Sequence, residues 1–173
     1  MTDAAQAFIL QARSLLSDDY LPKIGRCLER LSDEDVWWRA NPESNSIGNL
    51  LLHLTGNVRQ WIVSGIGGEA DRRERPQEFA ASNALPRAEL LAHLSRTLAE
   101  VDAVLAALDP ARLLEPRLIQ GSRVTVLEAV FHVVEHFSMH TGQIILLTKM
   151  LKPADLGFYD FTGDAPRPAW GKP

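Results

Sequence analysis

Phe131-His132-Val133-Val134-Glu135-His136-Phe137-Ser138-Met139-His140 is the stretch on which the fold turns. Three histidines spaced by four stand in a run that is otherwise largely apolar. Thr125 followed three residues later by Glu128 is a capping-box pattern, and Pro153 closes the run just beyond Leu151. The spacing therefore predicts one long helix from Thr125 to Leu151. Its most apolar part, Ala129 to Thr148, holds three histidines and Glu135, which argues against a membrane span.

Three further long helices are predicted upstream. Asp3 to about Leu31 carries Phe8, Ala12, Leu15, Leu16, Ile24, Leu28 and Leu31 at helical spacing, with a kink or break expected near Tyr20–Leu21 because Pro22 lies inside it. Ser32 and Asp35 suggest a short capped turn carrying Trp37 and Trp38, ended by Asn41-Pro42. Ser46 caps a second helix that reaches about Ile66 and stops at Gly67-Gly68. Its stripe is Ile47, Leu50, Leu51, Leu54, Val58, Trp61 and Ile62. From Gly67 to Leu85 the chain is charged and punctuated by Gly and Pro, which reads as a long exposed connection with Asp71 to Arg75 as a solvated run. Pro86 opens a third helix to about Leu108, and Leu118 to Val124 leaves room for a short extended piece. The tail after Lys152 is rich in Pro, Gly and aromatics and is expected to pack over the rest as irregular chain. The fold class is all-α: an antiparallel four-helix bundle with a long connection between helices two and three, in a single domain spanning 1–173.

Composition limits what such a bundle can do. Of 173 residues 46% are apolar and 23% charged, so the chain can bury a real core. Lys plus Arg number 18 against 22 Asp plus Glu, a net charge of −4 that argues against a nucleic-acid partner. The single cysteine, Cys27, cannot form an internal disulfide, and the first residues lack a basic, apolar leader. The expected location is the cytoplasm, with neither a membrane nor a nucleic acid as partner.

Chemistry centres on the five histidines His53, His93, His132, His136 and His140. A four-residue step advances about 6 Å along a helix and turns about 40° past a full circle, so neighbouring imidazoles can converge on one cation. His53, set among leucines on the second helix, could add a ligand from a facing element. The same residues could instead be satisfied core or interface histidines of a non-catalytic helical dimerisation module. Burying several imidazoles without a shared partner costs about 1–3 kcal/mol each, which weighs on that second reading. A di-iron carboxylate bundle needs Glu-x-x-His, and Glu89, Glu128 and Glu135 are followed at that offset by Ala92, Phe131 and Ser138. Zincin, Walker, dinucleotide and Gly-x-Ser-x-Gly patterns are missing from the sequence.

His53 with Gly56-Asn57, and His136-x-x-x-His140-x-Gly142-Gln143, resemble the DinB-like superfamily, over most of the chain from the first helix to about Leu151. Where many such relatives carry Arg before the Gly-Gln pair, this chain has Thr141. The resemblance implies a four-helix bundle binding a divalent metal, nickel or zinc, through His53, His136 and His140. It also implies homodimers, and activities such as bacillithiol S-transfer or mycothiol-dependent maleylpyruvate isomerisation on a small-molecule substrate. A metal-dependent thiol S-transferase, or a hydrolase activating water, is the expected class, with a low-molecular-weight thiol as co-substrate in the first case. Asn57 and Glu135 are the candidate catalytic residues. His132, one turn before His136, and Gln143, three residues past His140, are expected to support or line the site. His93 lies outside the motif. An exposed face near Trp37 and Trp38 would suit the homodimer.

Overall fold

The computed structural model describes residues 3–171. Four helical rods form the bundle. The first comprises α1 (Ala4–Ser14), a π-helical turn (Leu15–Tyr20) and α2 (Leu21–Glu29). The kink or break expected near Tyr20–Leu21 takes the form of this π-helical turn, and the rod is not interrupted at Pro22. Proline lacks an amide proton and its ring crowds the carbonyl four residues back, here that of Asp18, and the wider π turn absorbs the misfit. The Asp18 carbonyl accepts instead from Trp170 Nε1 in the C-terminal tail, at 3.0 Å.

That bond anchors a tail more ordered than the sequence suggested. Two-residue strands β3 (Tyr159–Asp160) and β4 (Arg167–Pro168) pair antiparallel in it. Arg26 of α2 donates to the carbonyls of Gly157 and Ala169 at 2.9 and 2.5 Å, and the Lys23 ammonium lies 3.8 Å from the centre of a Trp170 ring. Leu156 is buried against the core.

Short α3 (Asp33–Trp37) begins with the Ser32/Asp35 capping box expected from sequence. Trp37 is buried, not part of an exposed face, and its Nε1 donates to the Leu85 carbonyl at 2.9 Å; only Trp38 is exposed. The second rod is α4 (Ile47–Val58), extended by a π-helical turn (Arg59–Ser64). Gly48 is required near its start, since a Cβ there would sit 2.8 Å from the Trp37 ring.

The connection that follows contains α5 (Arg75–Ala80), which packs on α4. Next come α6 (Arg87–Ala106), a 3-10 turn (Pro110–Arg112) and the hairpin β1 (Pro116–Ile119) and β2 (Ser122–Thr125). The hairpin turns at Gln120-Gly121, with φ of 52° and 77° at the two residues, the left-handed pair a tight two-residue turn demands. Thr125 ends β2 and caps α7 (Val126–Leu151) by the predicted box with Glu128.

α4 packs on both α6 and α7, and α2 lies along α7. One contiguous core runs through Leu16, Ile24, Leu51, Leu54, Leu94 and Phe137. Among the described residues no helix is long and apolar enough to cross a membrane. Cys27 lies in this core at 0% exposure, and burial pushes its thiol up to about 11. Native protein at pH 8 is therefore expected to release no colour from an aromatic disulfide reagent, and one equivalent per chain after denaturation. Rapid native reaction would show that α2 opens far more readily than its packing implies.

Candidate metal centre

His53 lies midway along α4, and His136 and His140 lie one turn apart on α7. Because α4 and α7 pack side by side, the three rings meet. The Nε2 of His136 is 3.1 Å from that of His53 and 3.2 Å from that of His140. One ligating nitrogen from each ring falls within 4.8 Å of the other two.

Hydrogen bonding from behind settles which nitrogens face inward. His53 Nδ1 lies 2.9 Å from Glu78 Oε2 and 3.1 Å from Arg73 Nη2. The guanidinium nitrogen already donates to the same carboxylate oxygen at 2.9 Å, so the nearer carboxylate, which only accepts, takes the Nδ1–H of His53, and Gln143 Oε1 takes that of His140 at 2.7 Å. Each ring thus presents an Nε2 lone pair toward His136. A single proton on His136 Nε2 could serve one of those lone pairs at a time, whereas a cation serves all three. Bonds of about 2.0–2.1 Å place imidazole nitrogens about 3–3.4 Å apart around one ion, which matches the two short separations. The donor set is three imidazoles, suited to borderline cations. His136 Nδ1 is buried and has no hydrogen-bond partner among the described residues, so His136 is the least braced of the three.

Electrostatics keep these rings ready to coordinate. Burial pushes His136 down to about 3, reinforced by the neighbouring imidazoles of His140 and His53. Burial lowers His140 and His132 as well, against the bond to Gln143 in the first case and the field of Glu135 in the second. Neutral imidazole is the ligating form.

Sequence reasoning missed the bracing of His53. Arg73, placed in a solvated run by its neighbours, folds inward with a side chain 4% exposed. It donates from Nε to Glu78 Oε1 at 2.7 Å and from Nη2 to Glu78 Oε2 at 2.9 Å, while Nη1 reaches Gln60 Oε1 at 2.9 Å. Burial opposes ionisation of Glu78, but the bonds from Arg73 and His53 outweigh it and hold the carboxyl below its ordinary value. Gly56 makes the approach possible. A Cβ at that position would overlap Glu78 Oε1 and lie 3.0 Å from Arg73 Nε. The one available signal was the need of a buried ligating histidine for a partner on its second nitrogen.

Residues 3–159 match the family described as "Protein of unknown function (DUF1572)". A DinB-like protein from Bacillus cereus ATCC 10987 shares the fold, with a TM-score of 0.65 and 16% identity over 83% of this chain and 90% of that one. The chain belongs to the DUF1572 family. A conserved protein from Enterococcus faecalis has the same fold, at a TM-score of 0.68 and 14% identity over 84% of this chain and 97% of that one. No curated protein matches.

In this DUF1572 chain a cavity of about 430 Å³ adjoins the cluster, lined by His53, His136, His132, Asn57, Arg75 and Gln120 among others. His132 stays outside the triplet: its ring lies 5.3 Å from His136 and packs, tilted by 44°, at 4.2 Å from Trp61. Asn57 is buried, with Nδ2 at 3.5 Å from His132 Nε2 and an Oδ1 that has no partner among the described residues. Glu135 sits about 100° round α7 from His136, is exposed, and reaches His132 and His140 only through its field. It does not line the cavity. His93 lies on α6, away from the cluster.

Proposed function

We propose that His53, His136 and His140 bind one divalent ion, nickel or zinc, through their Nε2 atoms, and that the adjoining cavity admits a small-molecule substrate for metal-dependent thiol transfer or hydrolysis. The observation that carries this reading is the meeting of three inward-facing imidazole nitrogens at one point beside a cavity. Such an ion supplies Lewis acidity and lowers the pKa of a thiol or water bound to it.

The chain's own residues do the rest. Glu78 and Gln143 fix two of the rings in the ligating tautomer. Asn57 Oδ1 is the unpaired buried acceptor at the cavity wall, placed to orient a water or a substrate donor. Arg75 and Gln120 bring polar groups to the same wall. Packing histidines of a purely structural module would be expected to share protons or bond to carbonyls, and here three nitrogens confront one another instead.

Elemental analysis of protein purified without chelators tests the metal centre. Near-stoichiometric nickel or zinc is expected, falling to background in His140→Ala. Protein with no metal above background, even after incubation with both ions, would refute the reading. Screening the loaded protein with low-molecular-weight thiols against electrophiles, and with hydrolysable esters and amides, then separates the two reaction classes.

A further inference from the structure

Two arginines line the cavity beside the three histidines, and they differ in what they hold. Arg73 is fully engaged, by Glu78 on two nitrogens and by Gln60 on the third. Arg75, the first residue of α5, is exposed and makes neither an ion pair nor a side-chain hydrogen bond among the described residues. It is held in place all the same. Its guanidinium lies 5.1 Å from the centre of the Phe79 ring, one turn further along α5, and that ring lies 4.8 Å from the ring of His53. The cation therefore stands no further than about 10 Å from the His53 ring.

The cavity around Arg75 carries no counter-charge. Histidines, Asn57 and Gln120 line it besides the two arginines, and among the described residues no Asp or Glu does. Glu74 and Glu78, the acidic residues nearest Arg75 in sequence, line a second cavity instead, which shares only Arg73 with this one. On a chain whose net charge is −4 this is a local positive site, and an ion held by the three histidines makes it more so. A guanidinium takes a carboxylate on two parallel N–H donors, an arrangement with both strength and direction. One unpaired guanidinium matches the single charge of a carboxylate, and about 430 Å³ leaves room for a small organic acid.

We propose that the molecule entering this cavity carries a carboxylate, held by Arg75 while its other end meets the metal centre. The assignment rests on the metal-dependent reading given above and names the class of molecule that the site selects. Mercaptohexanoate and its uncharged primary amide test it, since they share one thiol and a chain too long to favour chelation of one ion by both ends. Isothermal titration of nickel-loaded protein should find the acid about tenfold tighter than the amide, and the two equal in Arg75→Met. Nickel itself should bind Arg75→Met as tightly as wild type, because Arg75 is not a ligand. In metal-free protein the acid, and not the amide, should shift the Arg75 Nε–H resonance. A wild-type chain that takes up no nickel yet shows this shift would refute the metal centre and keep the carboxylate site. Equal affinities for acid and amide in wild type, a preference that survives Arg75→Met, or an Arg75 resonance unmoved by the acid would each overturn the proposal.

Discussion

Replacing Glu78 by alanine is expected to weaken divalent-metal binding about 10–100-fold and to lower the melting temperature by about 10 °C. Both effects come from one carboxylate. It accepts from His53 Nδ1 and from two nitrogens of Arg73, whose side chain is almost fully buried. Without it the guanidinium is left desolvated and unpaired, and removing one partner of a buried ion pair costs about 3–5 kcal/mol. His53 also loses the group that fixes its tautomer, so its Nε2 no longer points its lone pair reliably at the site. Glu78→Gln separates the two effects. An amide oxygen can still accept from His53 but does not neutralise Arg73, so metal affinity should suffer less than stability. Isothermal titration with nickel and a thermal melt on the same samples check both. If Glu78→Ala bound metal as tightly as wild type, Glu78 would be only a structural anchor for α5.

His136→Leu is expected to do the opposite to the metal-free protein. His136 Nδ1 is buried without a partner among the described residues, and burial already holds the ring neutral. An apolar side chain of similar size removes an unsatisfied group, so the metal-free melt should stay the same or rise. Metal binding should fall about 10²–10³-fold, because structural zinc sites gain about 10–16 kcal/mol from about four ligands and this change deletes one of three. The pair of measurements discriminates between the two readings of the histidines. Packing residues would lose stability on replacement and leave metal content untouched; ligands lose metal and spare the fold.

The long helices were legible because their signals are local. Ser46 and Thr125 bond amides three residues on, and the apolar stripe of each helix repeats within a few turns. His136 and His140 were legible for the same reason, being one turn apart on one helix. His53 stood out as a histidine among leucines able to add a ligand from a facing helix, and the superfamily resemblance joined it to the pair; Gln143 was placed by lying three residues past His140. Arg73 and Glu78 were not legible. They belong to a connection whose composition reads as solvated, and α5 turns inward only because α4 offers the gap above Gly56. Pro22 marked where the first rod leaves α geometry, but not that the rod would continue. Its local effect is to break a helix, and the compensating donor, Trp170, lies 148 residues away in sequence.

By itself, then, the amino-acid order determined an all-helical bundle, its caps and stops, and the residue types able to hold a cation, since each of these rests on contacts spanning a turn or two of chain. The tertiary structure decided which carboxylate braces His53, where Glu135 points, that Trp37 is core, and that Arg75 lines the cavity. Those outcomes depend on how rods far apart in sequence are rotated against one another, and that rotation is set by the packing of the whole core at once.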